Sequence, residues 1–193
     1  MIKPYNMKQE YTYWLALANA ENIYTRRKNE ILAKIHEDNS SLAHFFTEEN
    51  NWKSSFDLSQ DEIQSLLQEK EKLNNYSFIV EDLLEQGYKI IPIFSSDYPK
   101  TLKKNLKFSS PILLYAYGNI ELLNKESVAI VGSRNANDTS LNFTDNIASL
   151  SVSDGLVVVS GYAKGVDKQA LDSAIRNGGS SIIVLPQGIT TFG

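Results

Sequence analysis

Ser127-Val-Ala-Ile-Val131, running into Gly132-Ser133-Arg134, is the stretch that decides how this chain folds. The run is short, apolar and rich in β-branched residues, and it ends in a turn of small residues. Two further runs have the same design. Leu156-Val-Val-Val159 leads into Ser160-Gly161-Tyr162-Ala163-Lys164-Gly165-Val166-Asp167, and Ser181-Ile-Ile-Val-Leu185 leads into Pro186-Gln187-Gly188-Ile189. Continuous apolar strands separated by helical patterns predict an α/β fold whose parallel strands are covered on both faces by crossover helices. The first crossover is expected to start near Thr139-Ser140, run through Leu141, Ile147 and Leu150, and stop at Gly155. The second is expected from about Asp167, through Ala170, Leu171, Ala174 and Ile175, to Gly178-Gly179. Ligands of open parallel sheets bind at the carboxyl ends of the strands. Those ends are where this chain places its glycines, Ser133, Ser160, Arg134 and Lys164.

The loop chemistry suits an anion. Gly132 and Ser133 permit a tight turn whose backbone N–H groups face a phosphate, and Arg134 adds a bidentate, charge-assisted grip. Gly161 and Gly165 let the second loop approach a ligand without a Cβ in the way. In the same loop Ser160 supplies a hydroxyl, Lys164 a point charge, and Tyr162 a ring on which a base can stack, with Ala163 between them. The competing reading makes these the tight turns that any parallel sheet needs, with Tyr162 as a lid on the sheet end. Asp167 stands at the expected helix start and reads as its N-cap rather than a ligand contact, which moves the phosphate toward Gly132–Arg134 and Gly161–Lys164.

Upstream the pattern changes. Tyr11, Trp14, Leu15 and Ala18 have helical spacing, and Ser59-Gln-Asp-Glu62 is a capping box opening a longer helix that Asn74-Asn75 divides and Gly87 stops. Tyr88 to Phe94 and Pro111 to Tyr117 read as strands. The expected organisation is a helical domain at 1–80 and an α/β domain at 81–193. Lys100, Lys103, Lys104 and Lys107 read as the solvated face of a short helix with Leu102 and Leu106 inward, rather than as a phosphate-tracking patch. Arg26-Arg27-Lys28 has the same reading. His36 and His44 stand apart from any nucleophile pattern.

Composition narrows the function. The chain has 193 residues, 42% hydrophobic and 22% charged, with no cysteine and a net charge of −4. Disulfide and thiolate chemistry are excluded, and bulk electrostatics does not favour a protein that coats nucleic acid. Residues 1–100 carry 11 Lys and Arg against 16 Asp and Glu, whereas 101–193 carry 8 against 7, so a polyanion is expected to favour the second part. No apolar run is long enough to span a membrane. No nucleophile elbow, Walker loop, metal-ligand cluster or Gly-x-Gly-x-x-Gly fingerprint is present, so no catalysis, cofactor or metal is expected.

Taken together, Val128-Ala-Ile-Val-Gly-Ser-Arg134 and Val159-Ser-Gly-Tyr-Ala-Lys-Gly-Val-Asp167, preceded by Asp97-Tyr98-Pro99, Pro111-Ile-Leu-Leu-Tyr115 and Gly118-Asn119, resemble the DprA (Smf) family of DNA-processing proteins. The resemblance implies a Rossmann-like domain preceded by a small helical domain similar to a sterile alpha motif. It also implies a cytoplasmic, non-enzymatic recombination mediator that binds single-stranded DNA, helps load the recombinase RecA, supports natural transformation (competence), and forms a homodimer. Gly132, Ser133 and Arg134, with Ser160, Gly161, Lys164 and Gly165, fall on the family's DNA-phosphate pocket. The chain departs from the family at Leu171, where a histidine is usual, and at Leu185-Pro186-Gln187-Gly188, where Leu-Gly-x-Gly is usual. It also lacks, from Asn135 to Leu141, the Ser or Thr followed by Tyr-Gly that is expected soon after Gly-Ser-Arg. The sheet is expected to be incomplete at its C-terminus, as in a truncated member. The alternative is a nucleotide-binding sensor or nucleotide-hydrolysing enzyme of the LOG type, to which Pro186-Gln187-Gly188-Ile189-Thr190 is faintly similar.

Overall fold

The structure is a computed structural model describing residues 7–186 and 188–191. The chain divides into two units, Met1–Gly118 and Asn119–Gly193.

In the first unit, α1 (Met7–Asn19), α2 (Thr25–Glu37), α3 (Leu42–Thr47), α4 (Trp52–Phe56), α5 (Gln60–Glu71) and α6 (Leu73–Glu85) precede β1 (Lys89–Pro92), α7 (Lys100–Leu106) and β2 (Leu113–Ala116). The capping box forms as the sequence predicts. Glu62 N–H donates to Ser59 Oγ at 3.3 Å, and Ser59 N–H to Glu62 Oε2 at 2.8 Å. The helix break falls at Lys72 rather than at Asn74-Asn75. There the buried Glu69 carboxylate accepts from Lys72 Nζ at 2.7 Å and from the Tyr76 hydroxyl, so one buried charge joins both sides of the break. Burial, and then this hydrogen bond, hold the Tyr76 hydroxyl well above the usual tyrosine range.

The core of this unit is aromatic. Trp52 is 1% exposed, donates its indole N–H to Phe45 O at 2.7 Å and stacks on the Phe45 ring at 5.3 Å. β1 and β2 form their own antiparallel pair, Lys89 opposite Ala116 and Pro92 opposite Leu113, separate from the parallel sheet. Because α6 packs on β1 and α1 on β2, this pair groups with the helices, and the units divide at Gly118–Asn119 rather than near residue 80. Leu106, expected inward, is exposed, and Leu102 is half-buried.

The second unit contains β3 (Ser127–Ala129), α8 (Asp138–Ser153), β4 (Val157–Ser160), α9 (Val166–Arg176) and β5 (Ser181–Ile183). The strands are parallel in the order β3-β4-β5, with Val128 beside Val158 and Val158 beside Ser181. Each crossover steps one strand in the same direction. With a constant hand, both helices then lie on one face. Accordingly Ala148 of α8 and Ala170, Leu171 and Ala174 of α9 share one core cluster with Val158. The expectation of crossover helices on both faces is therefore corrected. The alanines matter here, because small side chains let the helices lie close to each other and to the strand.

Helix α8 starts slightly earlier than predicted, because Asn137 Oδ1 accepts from Ser140 N–H at 2.9 Å and caps it. The division at Gly118 also alters the charge argument. The lysines of α7 belong to the first unit, and 119–193 holds five Lys and Arg against seven Asp and Glu. An anion site in the second unit must then be local. Among the described residues no helix is long and apolar enough to cross a membrane.

Candidate nucleic-acid interface

Ser160 ties together the carboxyl ends of the three parallel strands. Its hydroxyl donates to Ile130 O at 2.5 Å, and its carbonyl accepts from Val184 N–H at 2.9 Å. The side chain is buried and its proton is committed, so Ser160 braces the site rather than offering the free hydroxyl that its sequence position suggests.

The Gly132-Ser133-Arg134 turn and the Gly161–Gly165 loop meet directly. Val166 N–H donates to Ser133 O at 3.1 Å. Gly165 has φ +91°, and a Cβ there would collide with the carbonyl oxygens of Ser133 and Arg134. Glycine is thus required twice over, by the backbone angle and by the close approach. Gly132 is held as tightly, since a Cβ on it would sit 2.9 Å from the Val166 side chain.

Asp167 is not the N-cap that its position suggested. Gly165 holds the N-cap position of α9, and Asp167 lies inside the first turn. The residue is 8% exposed, and its carboxylate crosses to the other loop and accepts from Gly132 N–H at 3.0 Å. The Gly132 donor is therefore taken up inside the protein, which revises the reading in which it faces a phosphate. Ser133 is also used locally: its hydroxyl oxygen accepts from Asn135 N–H at 3.1 Å.

The cations behave differently. Arg134 and Lys164 are exposed, and neither side chain makes a hydrogen bond or ion pair among the described residues. The other basic residues of the second loop's helix are neutralised: Lys168 donates to Asp172 Oδ2 at 2.6 Å and Arg176 pairs with Asp145. The Asp172 hydrogen bond raises the Lys168 ammonium above the usual lysine range. Lys168 Nζ also lies 5.2 Å from the centre of the Tyr162 ring, so one aromatic face already holds a cation. Tyr162 itself has φ +60°, a left-handed conformation costly for a bulky residue, and Ala163 follows with its carbonyl accepting from Lys168 N–H at 3.0 Å. Beside the first turn a cleft of about 460 Å³ opens between Val131, Gly132, Ser140, Phe143 and Val166. Gln187 lies outside the described residues, so the third loop is defined only through Pro186 and from Gly188 onward.

Residues 89–192 match the family model described as DNA recombination-mediator protein A. The chain belongs to this family. DprA of Streptococcus pneumoniae is 32% identical over 123 residues, 62% of this chain and 43% of that protein. The Smf protein of Synechocystis is 28% identical over 191 residues, 93% of this chain and 45% of that protein. The X-ray structure of the pneumococcal DprA matches with a TM-score of 0.74 at 22% identity, covering 94% of this chain and 59% of that one. That likeness shows a shared fold, and the chain spans less than half the length of these curated relatives. The recombination-mediator match starts at β1, so it takes in the end of the first unit as well as the second.

Both loops of the recombination-mediator domain were legible as loops, and Arg134 and Lys164 as their cations. What the sequence reading missed is the partner of Gly132. The only sequence signal was an aspartate two residues after Gly165, where a cap was the simpler explanation.

Proposed function

We propose that the protein is a recombination mediator that binds single-stranded DNA, without catalysis, through Arg134 and Lys164. The observation that carries this reading is the contrast in commitment: these two exposed cations stand on a braced pair of loops while Lys168 and Arg176 are paired with carboxylates. An exposed, uncommitted guanidinium beside fixed backbone offers a phosphate a bidentate contact at little reorganisation cost. Gly132, Ser133, Ser160, Gly161, Ala163 and Gly165 then act as scaffold. Tyr162 offers a ring to a base.

Family membership supports work on DNA during recombination. On that basis we assign the protein to the cytoplasm, with RecA as partner, a second copy as dimer mate, and transformation as the process served. Asp167, the carboxylate beside the second loop, is committed to Gly132, and this disfavours the LOG-type nucleotide hydrolase.

The test is Arg134→Ala, measured by fluorescence anisotropy with a labelled oligothymidylate. Affinity is expected to fall by about 1.5–3 kcal/mol, the scale of a hydrogen bond to a charged group. The log–log salt slope should flatten by about 0.7, one phosphate contact on a single strand. Melting temperature should hold. Unchanged affinity and slope in a folded variant would remove the phosphate assignment.

A further inference from the structure

We infer that Asp167 is a positioning residue: its buried carboxylate latches the Gly132-Ser133-Arg134 turn onto the second loop and so sets where Arg134 meets a phosphate. The inference rests on the single-stranded DNA reading above and deepens it.

Three contacts define the latch. Asp167 Oδ1 accepts from Gly132 N–H at 3.0 Å, and its Oδ2 lies 3.0 Å from where a Cβ on Gly161 would stand. One carboxylate therefore abuts the first glycine of each loop. One residue earlier, Val166 N–H donates to Ser133 O at 3.1 Å. The turn is thus held from both sides, by an acceptor at residue 132 and a donor at residue 133, and Arg134 follows on the next bond of the chain.

The placement is costly unless it does something. A carboxylate removed from water needs hydrogen bonds in return, and a negative charge behind a phosphate site opposes the ligand. The helix offsets part of the first cost, because Asp167 sits in the first turn of α9, where the backbone dipole favours an anion. The second cost remains. A backbone N–H left unanswered at Gly132 would be free to rotate with its turn, and Arg134 would meet a phosphate only after ordering that turn. The latch removes this ordering step in advance.

Charge and latch make opposite demands, so substitutions separate them. Asp167→Asn keeps an oxygen for Gly132 and removes the charge; Asp167→Ala removes both. Affinity for a labelled oligothymidylate is expected to stay within about three-fold or tighten in Asp167→Asn, and to weaken by about ten-fold or more in Asp167→Ala. The exchange rate of the Gly132 amide, read by NMR without DNA, should be slow in the parent and in Asp167→Asn and fast in Asp167→Ala. If the alanine variant does not fold, Asp167→Glu replaces it: the extra methylene moves the oxygens off Gly132 and Gly161, with the same expected loss. Tightening in both variants would mean that Asp167 acts only as a repelling charge, and unchanged binding in both would mean that the turn needs no latch. Either overturns the proposal. A Gly132 amide that exchanges freely in the parent overturns it whatever the DNA does. A protected amide with binding indifferent to Arg134→Ala removes the phosphate reading and leaves the latch standing.

Discussion

Arg27 and Lys28 in the first unit and Arg134 and Lys164 in the second are put to opposite uses. In Met1–Gly118 three cations bind backbone carbonyls of the protein itself. Arg27 Nη2 donates to Phe56 O at 2.7 Å and Asp57 O at 3.0 Å, and its Nε to Glu62 at 3.1 Å. Lys28 Nζ donates to Ala18 O at 2.6 Å, and burial lowers its ammonium below the usual lysine range. Lys103 Nζ reaches Ile93 O at 2.9 Å and lies over Phe94. In Asn119–Gly193, Arg134 and Lys164 remain exposed on braced loops. The sequence counts favour the first unit, with 14 Lys and Arg against five, yet Arg134 and Lys164, at the carboxyl ends of parallel strands, lie in the second. On the proposed reading, the commitment of each cation matters more for anion binding than the number of cations.

The first way to strain this comparison is to damage the unit in which Arg27 and Lys28 turn inward. Trp52→Ala removes a ring that is almost fully buried together with its hydrogen bond to Phe45 O. Stability should fall by about 3–5 kcal/mol in urea unfolding. Retention of parental stability would mean that the aromatic core is not continuous. Next comes Arg27→Met, which keeps the aliphatic stem but abandons four acceptors, on Glu30, Phe56, Asp57 and Glu62. It should destabilise by about 2–3 kcal/mol while DNA binding of the folded variant stays at the parental level. A loss of binding without loss of stability would move Arg27 from the structural group to the functional one.

The third test falls on the second unit. Lys164→Ala should reduce affinity for oligothymidylate by about 1 kcal/mol and flatten the salt slope by about 0.7, with thermal unfolding unaltered. A lower melting temperature with normal binding would place Lys164 with Arg27.

How far the sequence could reveal this division differs by kind of interaction. The parallel strands, the helix starts and the capping box at Ser59 depend on neighbours within a few residues, and they were legible. The commitments of Arg27 and Asp167 depend on partners 30 and 35 residues away, at Asp57 and Gly132. No local spacing reveals such pairs. Arg26-Arg27-Lys28 therefore reads as one solvated face, although Arg27 and Lys28 turn inward to carbonyls. The shared face of the two crossover helices was missed for a related reason: β-branched runs report burial without reporting which face a crossover takes.

The smallest expected effect concerns a neutral buried donor in the first unit, where the inward habit extends beyond the cations. Tyr98 is 2% exposed and its hydroxyl donates to Pro111 O at 2.7 Å. Burial pushes this phenol up to about 12, above the value of about 10 expected in the unfolded chain. The neutral form is the one that the fold stabilises. Its contribution is complete below about pH 10, is lost as the pH rises from there toward 12, and then levels off once the folded phenol also ionises. Tyr98→Phe should cost about 0.5–1 kcal/mol at pH 7, since the Pro111 carbonyl loses its donor. The same variant should lose less stability than the parent between pH 10 and 12, so the gap between the two unfolding curves closes and then reverses as the solution becomes alkaline. Parallel curves across that range would show that Tyr98 titrates as it does in the unfolded chain, and that its hydroxyl is not held as the rest of this unit holds its polar groups.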